Sequence, residues 1–104
     1  MSRADAIRKI IETAPGDPFP RYGLAMELKN SGQLDEACFA FEELERRFPD
    51  YAAQYLMHFH VLVSLGRKPD ARLLGQRGLE ALRKKGDQHA LGELEQALAQ
   101  LEED

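Results

Sequence analysis

Two stretches decide how this chain folds: Ser31-Gly32-Gln33-Leu34-Asp35-Glu36-Ala37 and Leu65-Gly66-Arg67-Lys68-Pro69-Asp70-Ala71. Gly32 precedes Gly66 by 34 residues, and Ala37 precedes Ala71 by the same step. In both, a glycine closes one apolar segment and an alanine lies in the first turns of the next. A repeat of this length, with a breaker in its middle, predicts two helices per copy.

The flanking segments fit that pattern. The first copy opens with Asp17-Pro18, a helix cap followed by a residue suited to the first turn. Tyr22, Leu24, Ala25 and Leu28 follow, and Gly32 ends this helix near Asn30. From about Leu34 to Arg47, Ala37, Phe41, Leu44 and Phe48 share one face. Asp35 and Glu36 open that helix, and Arg46 and Arg47 close it, an order that suits the helix dipole. Pro49 stops it. The second copy predicts a helix from Tyr51 to Ser64, capped by Asp50 and apolar on most sides, and another from about Pro69 to Lys85.

Working outward, residues 2–13 predict a helix with Ser2 and Asp5 as a capping box and a stripe of Ala6, Ile7, Ile10 and Ile11. Ala14-Pro15-Gly16 ends it. After Gly86, Asp87 caps a last helix with a narrow stripe of Leu91, Leu94, Leu98 and Leu101. No segment alternates with period two for long enough to make a strand. Connections are short, so neighbouring helices should run antiparallel. The expected fold is all-α, about six helices arranged as antiparallel hairpins.

Composition limits the function. The chain has 104 residues, 43 % of them apolar and 31 % charged, enough for one domain with a modest core. A net charge of −4 disfavours nucleic acid, which needs a basic surface to release counterions. No apolar run suggests a leader or a membrane span, and none is expected. Cys38 is the only cysteine, which excludes an internal disulfide and suits a reducing, cytoplasmic setting.

A helix pair recurring at 34 residues resembles the tetratricopeptide repeat, or TPR. The first copy supplies Leu24-Ala25, Leu28, Ala37, Phe41 and Pro49; the second supplies Tyr55, Leu62, Gly66 and Ala71. The period also reaches upstream, since Ile7, Ile10 and Pro15 precede Phe41, Leu44 and Pro49 by 34 residues. The resemblance implies one domain, 1–104, stacked as a short right-handed superhelix. It would hold a half repeat at 2–14, repeats at 17–50 and 51–85, and a capping helix at 87–102. Two departures stand out. His58-Phe59 replaces Leu-Gly in the second copy, so Phe59 must find room. Gly75 and Gly78 occupy the positions of Phe41 and Leu44, which predicts close approach of the leucine-striped last helix through Leu94 or Leu98.

In this family the first helix of each pair lines a concave face where a peptide or protein partner lies. Carried over, that face offers Phe19, Tyr22, Met26, Lys29 and Asn30, then Ala53, Leu56, His60, Val63 and Ser64. The expected partner-binding residues are Phe19, Tyr22, Met26, Lys29, Leu56, His60 and Val63. Met adapts to varied partners, and Tyr gives contact area at low entropy cost. Pairing of this face between two copies, giving a homodimer, is the alternative. The carboxylate clamp of the family's chaperone-tail binders is not expected, because Tyr22 and Met26 stand where it needs cationic or amide groups.

Other candidates read as structural. His58 and His60 point about 200° apart on a helix and cannot share a metal. Cys38 lacks a basic neighbour that would activate it. No phosphate loop, nucleophile elbow or paired-carboxylate cleft appears, so no catalytic activity, cofactor or metal is expected. Charge segregates late in the chain, with seven bases from Arg67 to Lys85 and six acids from Gly86 onward. Pairing between those two helices is the simplest account.

Overall fold

The computed structural model describes residues 1–103 and contains six helices among them, with no strand. In chain order they are α1 (Arg3–Thr13), α2 (Pro18–Asn30), α3 (Leu34–Arg47), α4 (Gln54–Ser64), α5 (Lys68–Lys85) and α6 (Gln88–Glu103). They form two compact units, one of Met1–Pro49 and one from Asp50 onward.

In the first unit, α2 packs against both α1 and α3. Ser2 and Asp5 make the expected capping box: the Asp5 backbone N–H donates to Ser2 Oγ at 3.1 Å, and the Ser2 N–H donates to Asp5 Oδ2 at 3.2 Å. Asp17 caps α2 by accepting from the Phe19 N–H at 3.0 Å. Ala25 and Ala37 are fully buried beside Leu28, Phe41 and Leu44. These alanines let the helix backbones come together, and the larger side chains fill the remaining space.

Two expectations need correcting. The inward stripe of α1 is Ala4, Ile7 and Ile11, not Ala6 and Ile10: Ala4 is buried, Ala6 is exposed and Ile10 is 52 % exposed. α1 packs only on α2 in this unit, so one narrow stripe is covered. Also, α4 begins at Gln54, and no side chain caps it. Tyr51–Ala53 forms a tight turn instead, in which Gln54 and Tyr55 donate backward three residues to the Tyr51 and Ala52 carbonyls.

In the second unit α4, α5 and α6 are mutually packed. Gly66, with φ +75°, ends α4 in the left-handed conformation that Gly32, with φ +79°, adopts at the end of α2. In each turn the next residue donates back to the carbonyl five residues earlier, Gln33 to Leu28 and Arg67 to Leu62, both at 2.9 Å. The repeated glycine is thus a repeated hydrogen-bonded turn. Asp87 caps α6 through the Ala90 N–H at 3.0 Å.

The two glycines of α5 sit where α6 comes closest. A Cβ on Gly75 would lie 2.7 Å from Leu98 Cδ2. A Cβ on Gly78 would lie 2.7 Å from Tyr55 Cβ and 2.8 Å from Leu94 Cδ2. Leu94 and Leu98 therefore pack onto α5 through the gaps these glycines leave, as the sequence suggests. Phe59 finds its room inside this unit and is buried. The oppositely charged α5 and α6 are joined by ion pairs, Arg72 to Glu102 and Arg83 to Glu95. Their exposed positions limit each to about 0–1 kcal/mol. Of the acidic tail, Glu102 and Glu103 are exposed, and Asp104 lies outside the described residues.

The glycines should respond differently to substitution. Gly78→Ala gains about 1 kcal/mol of helix propensity but meets Tyr55 Cβ, which is fixed to its backbone, at a cost of about 1–3 kcal/mol. Thermal melts by circular dichroism should show a lower Tm, by about 4–8 °C for each net kcal/mol. Gly75→Ala meets only the tip of Leu98 and should cost less. Gly23→Ala, with nothing within 4 Å, should raise Tm. An unchanged Tm for the bulkier Gly78→Leu would remove the close-approach account.

Candidate functional site

The expected partner-binding residues occupy one face of α2 and one face of α4. On α2, Tyr22, Met26 and Lys29 are half-buried, and Phe19 is 65 % exposed. Their spacing of three, four and three places them on one side of the helix. Tyr22 meets the buried Phe41 of α3 edge to face, with ring centroids 6.4 Å apart. On α4, Leu56 and Val63 are half-buried and His60 is exposed. The structure brings His60 and Val63 together with Phe59 in a shallow depression of about 140 Å³, closed on its far side by Ala97, Gln100 and Leu101 of α6. His58, by contrast, is buried. One histidine packs and the other lines an open surface, as their spacing implies. Cys38 is buried on α3.

A larger groove lies elsewhere. It occupies the first unit, with a volume of about 580 Å³, between α1 and α3 and floored by α2. Leu24, Leu28, Phe39 and Ala40 supply its apolar surface; Arg8, Arg21, Asp35, Glu36 and Glu43 supply its charges. Arg21, Leu24 and Leu28 fall on the side of α2 turned away from Tyr22, Met26 and Lys29. The groove is therefore separate from the expected site. One sequence signal does point to it. Phe39 is an apolar residue on an otherwise charged face of α3, among Asp35, Glu42, Glu43 and Arg46. It stays 65 % exposed, and the residue 34 positions later, Leu73 on α5, is 63 % exposed.

The charges in the groove are unevenly satisfied. At one end Glu43 accepts from Arg46 at 2.8 Å and lies 3.6 Å from Arg47. The Arg46 hydrogen bond holds the Glu43 carboxyl below the usual Glu value. Burial pushes the Arg21 guanidinium below its ordinary value, and the nearby charge of Arg47 adds to the effect. Arg21 Nε is buried without a hydrogen-bond partner. Such an unmet donor costs about 1–3 kcal/mol. At the other end Arg8 lies 3.2 Å from Asp5 and 3.9 Å from Glu36.

Comparison with known proteins settles the family. A tetratricopeptide repeat domain protein from Salinibacter ruber, solved in solution, is 36 % identical, with 85 % of this chain and 89 % of that one covered, at a TM-score of 0.78. A crystal structure of a tetratricopeptide repeat domain protein from the same organism is also 36 % identical, covering 83 % of this chain and 97 % of that one, at a TM-score of 0.79. The chain belongs to the tetratricopeptide repeat family. A solution structure of a Bordetella parapertussis protein, 20 % identical, shares the TPR chain's fold over 99 % of its length and 90 % of its own, at a TM-score of 0.83. No family model and no curated protein matches this TPR chain. The TPR fold is in general a protein-interaction fold. No helix among the described residues is long and apolar enough to cross a membrane.

Glu43 gives a titration with a defined sign. Its folded pKa is depressed, so its contribution to stability is present above the unfolded value and is lost as pH falls through the lowered folded value. A carbon-detected NMR titration should place its midpoint below 4.5. Arg46→Ala should move the midpoint upward. A midpoint unaffected by Arg46→Ala would show that the hydrogen bond is not its cause.

Proposed function

We propose that the chain is a non-enzymatic protein-interaction module with repeats at 17–50 and 51–85. It binds a peptide or protein partner on the first helices of those repeats. The contact residues are Phe19, Tyr22, Met26 and Lys29 of α2 and Leu56, His60 and Val63 of α4. One observation carries this reading: packing within each unit leaves Tyr22 and Met26 of α2 and Leu56 and Val63 of α4 half open, while Ala25, Leu28, Tyr55, Phe59, Val61 and Leu62 of the same helices are buried. Tyr22 packs edge to face on the buried Phe41, and a tyrosine brings a large contact area with a polar tip. A buried, single thiol fits work in a reducing compartment such as the cytoplasm.

A second reading, a homodimer formed through the same face, is favoured by Phe19, whose ring lies 65 % open to solvent at the start of α2. A C2 pairing would cover it twice.

Affinity capture from the source cell, read by mass spectrometry, tests the first reading. Tyr22→Ala combined with Leu56→Ala should abolish capture of the partner found with the wild-type chain, with unchanged circular dichroism. Capture that survives both changes would move the site elsewhere. Light scattering separates the second reading, since a Phe19→Ala-sensitive dimer is expected from it, and a concentrated monomer excludes it.

A further inference from the structure

The groove between α1 and α3 has an apolar floor and a buried guanidinium nitrogen without a hydrogen-bond partner, and nothing in the preceding function uses it. Its volume of about 580 Å³ falls in the range of ligand clefts, roughly 300–1,000 Å³. Leu24, Leu28 and Phe39 line it, and Phe39 stands largely in water although its neighbours on α3 are charged. Of the three acids in the lining, Glu43 is engaged by Arg46 and Arg47 and Glu36 by Arg8, while Asp35 stands on α3 one turn before Phe39, on the side away from Glu43. Arg21 Nε is buried without a hydrogen-bond partner, and Glu43, the carboxylate beside it, is shared with two other guanidiniums. That end of the groove therefore has positive charge in excess, next to apolar surface.

We propose that this groove is a second docking site, for a peptide segment that carries a bulky apolar side chain beside a carboxylate. The apolar side chain seats among Leu24, Leu28 and Phe39, and the carboxylate meets Arg21. A small inorganic anion would answer the charge but leave the apolar lining wet. A purely apolar segment would bury Arg21 further without giving it a partner. A basic segment would face three guanidiniums and one occupied carboxylate. An acidic–apolar pair meets both needs, and a carboxylate bound to a guanidinium in a partly desolvated groove forms a strong, directional contact.

The test is selection from a random peptide display library on the full chain, with Phe39→Asp as counter-selection. Phe39 is exposed, so that variant should fold, which circular dichroism confirms. The expected outcome is a consensus with a large apolar residue adjoining Asp or Glu. A synthetic peptide of that consensus should bind the wild-type chain and lose about tenfold or more in affinity to Arg21→Gln. Arg21→Glu should instead prefer the same peptide with Lys in place of its acid. Leu56→Ala, in the other unit, should leave this binding unchanged, which separates it from the face proposed above. A basic or featureless consensus, equal binding to Arg21→Gln, or no enrichment over Phe39→Asp would overturn the proposal. So would a Phe39-dependent dimer in light scattering, which would make a second copy the occupant.

Discussion

Close backbone approach between helices is the constraint on which both units rest. Helices come together only where side chains leave room. In the first unit the room comes from Ala25 and Ala37, both fully buried, with Phe41 and Leu44 filling the space around them. In the second it comes from Gly75 and Gly78, into whose gaps Leu98, Leu94 and Tyr55 press. The same problem is solved with different residues. Where the first unit puts Phe41 and Leu44 on α3, the second unit has Gly75 and Gly78 on α5 and takes the filling atoms from α6 and α4. The leucine stripe of α6 and the glycines of α5 are therefore one feature, written some twenty residues apart.

This exchange leaves different surfaces open. In the second unit α6 supplies part of the wall around Phe59, His60 and Val63, so only a shallow depression remains there. In the first unit the space between α1 and α3 stays open over α2, and its lining includes an arginine that burial has partly stripped of water. A solvated guanidinium is a poor anchor because water already satisfies it. A guanidinium in an apolar groove gains more from a carboxylate than it would in water. The groove's chemistry thus follows from the way α1 crosses α2 while meeting little else.

Family membership explains the architecture and leaves specificity to the surface. The TPR signature lies almost wholly in residues that pack: Ala25, Leu28, Ala37, Phe41, Tyr55, Leu62 and Ala71 are all buried. Apart from Leu28, which reaches the floor of the groove, none of them lines an open surface described above. The residues that are open, such as Phe19, Phe39, His60 and Leu73, lie outside the signature. Fold and recognition are therefore carried by largely separate sets of positions, which is why a clear repeat says little about what is bound.

The sequence by itself determined the six helices, their caps at Ser2, Asp17 and Asp87, the glycine turns and the meeting of α5 with α6. Each of these is a local rule or a period, and such signals survive without coordinates. Even there it erred where neighbours decide. The inward stripe of α1 depends on which helices cover it, and the start of α4 depends on a backbone turn that no side chain announces. The groove was out of reach for a stronger reason. Its lining comes from three helices, and the unmet Arg21 Nε is a property of what fails to reach it. Sequence periodicity reports which face of a helix is apolar. Only the tertiary arrangement decides which charges meet, which are left unmet, and where the gaps between helices open.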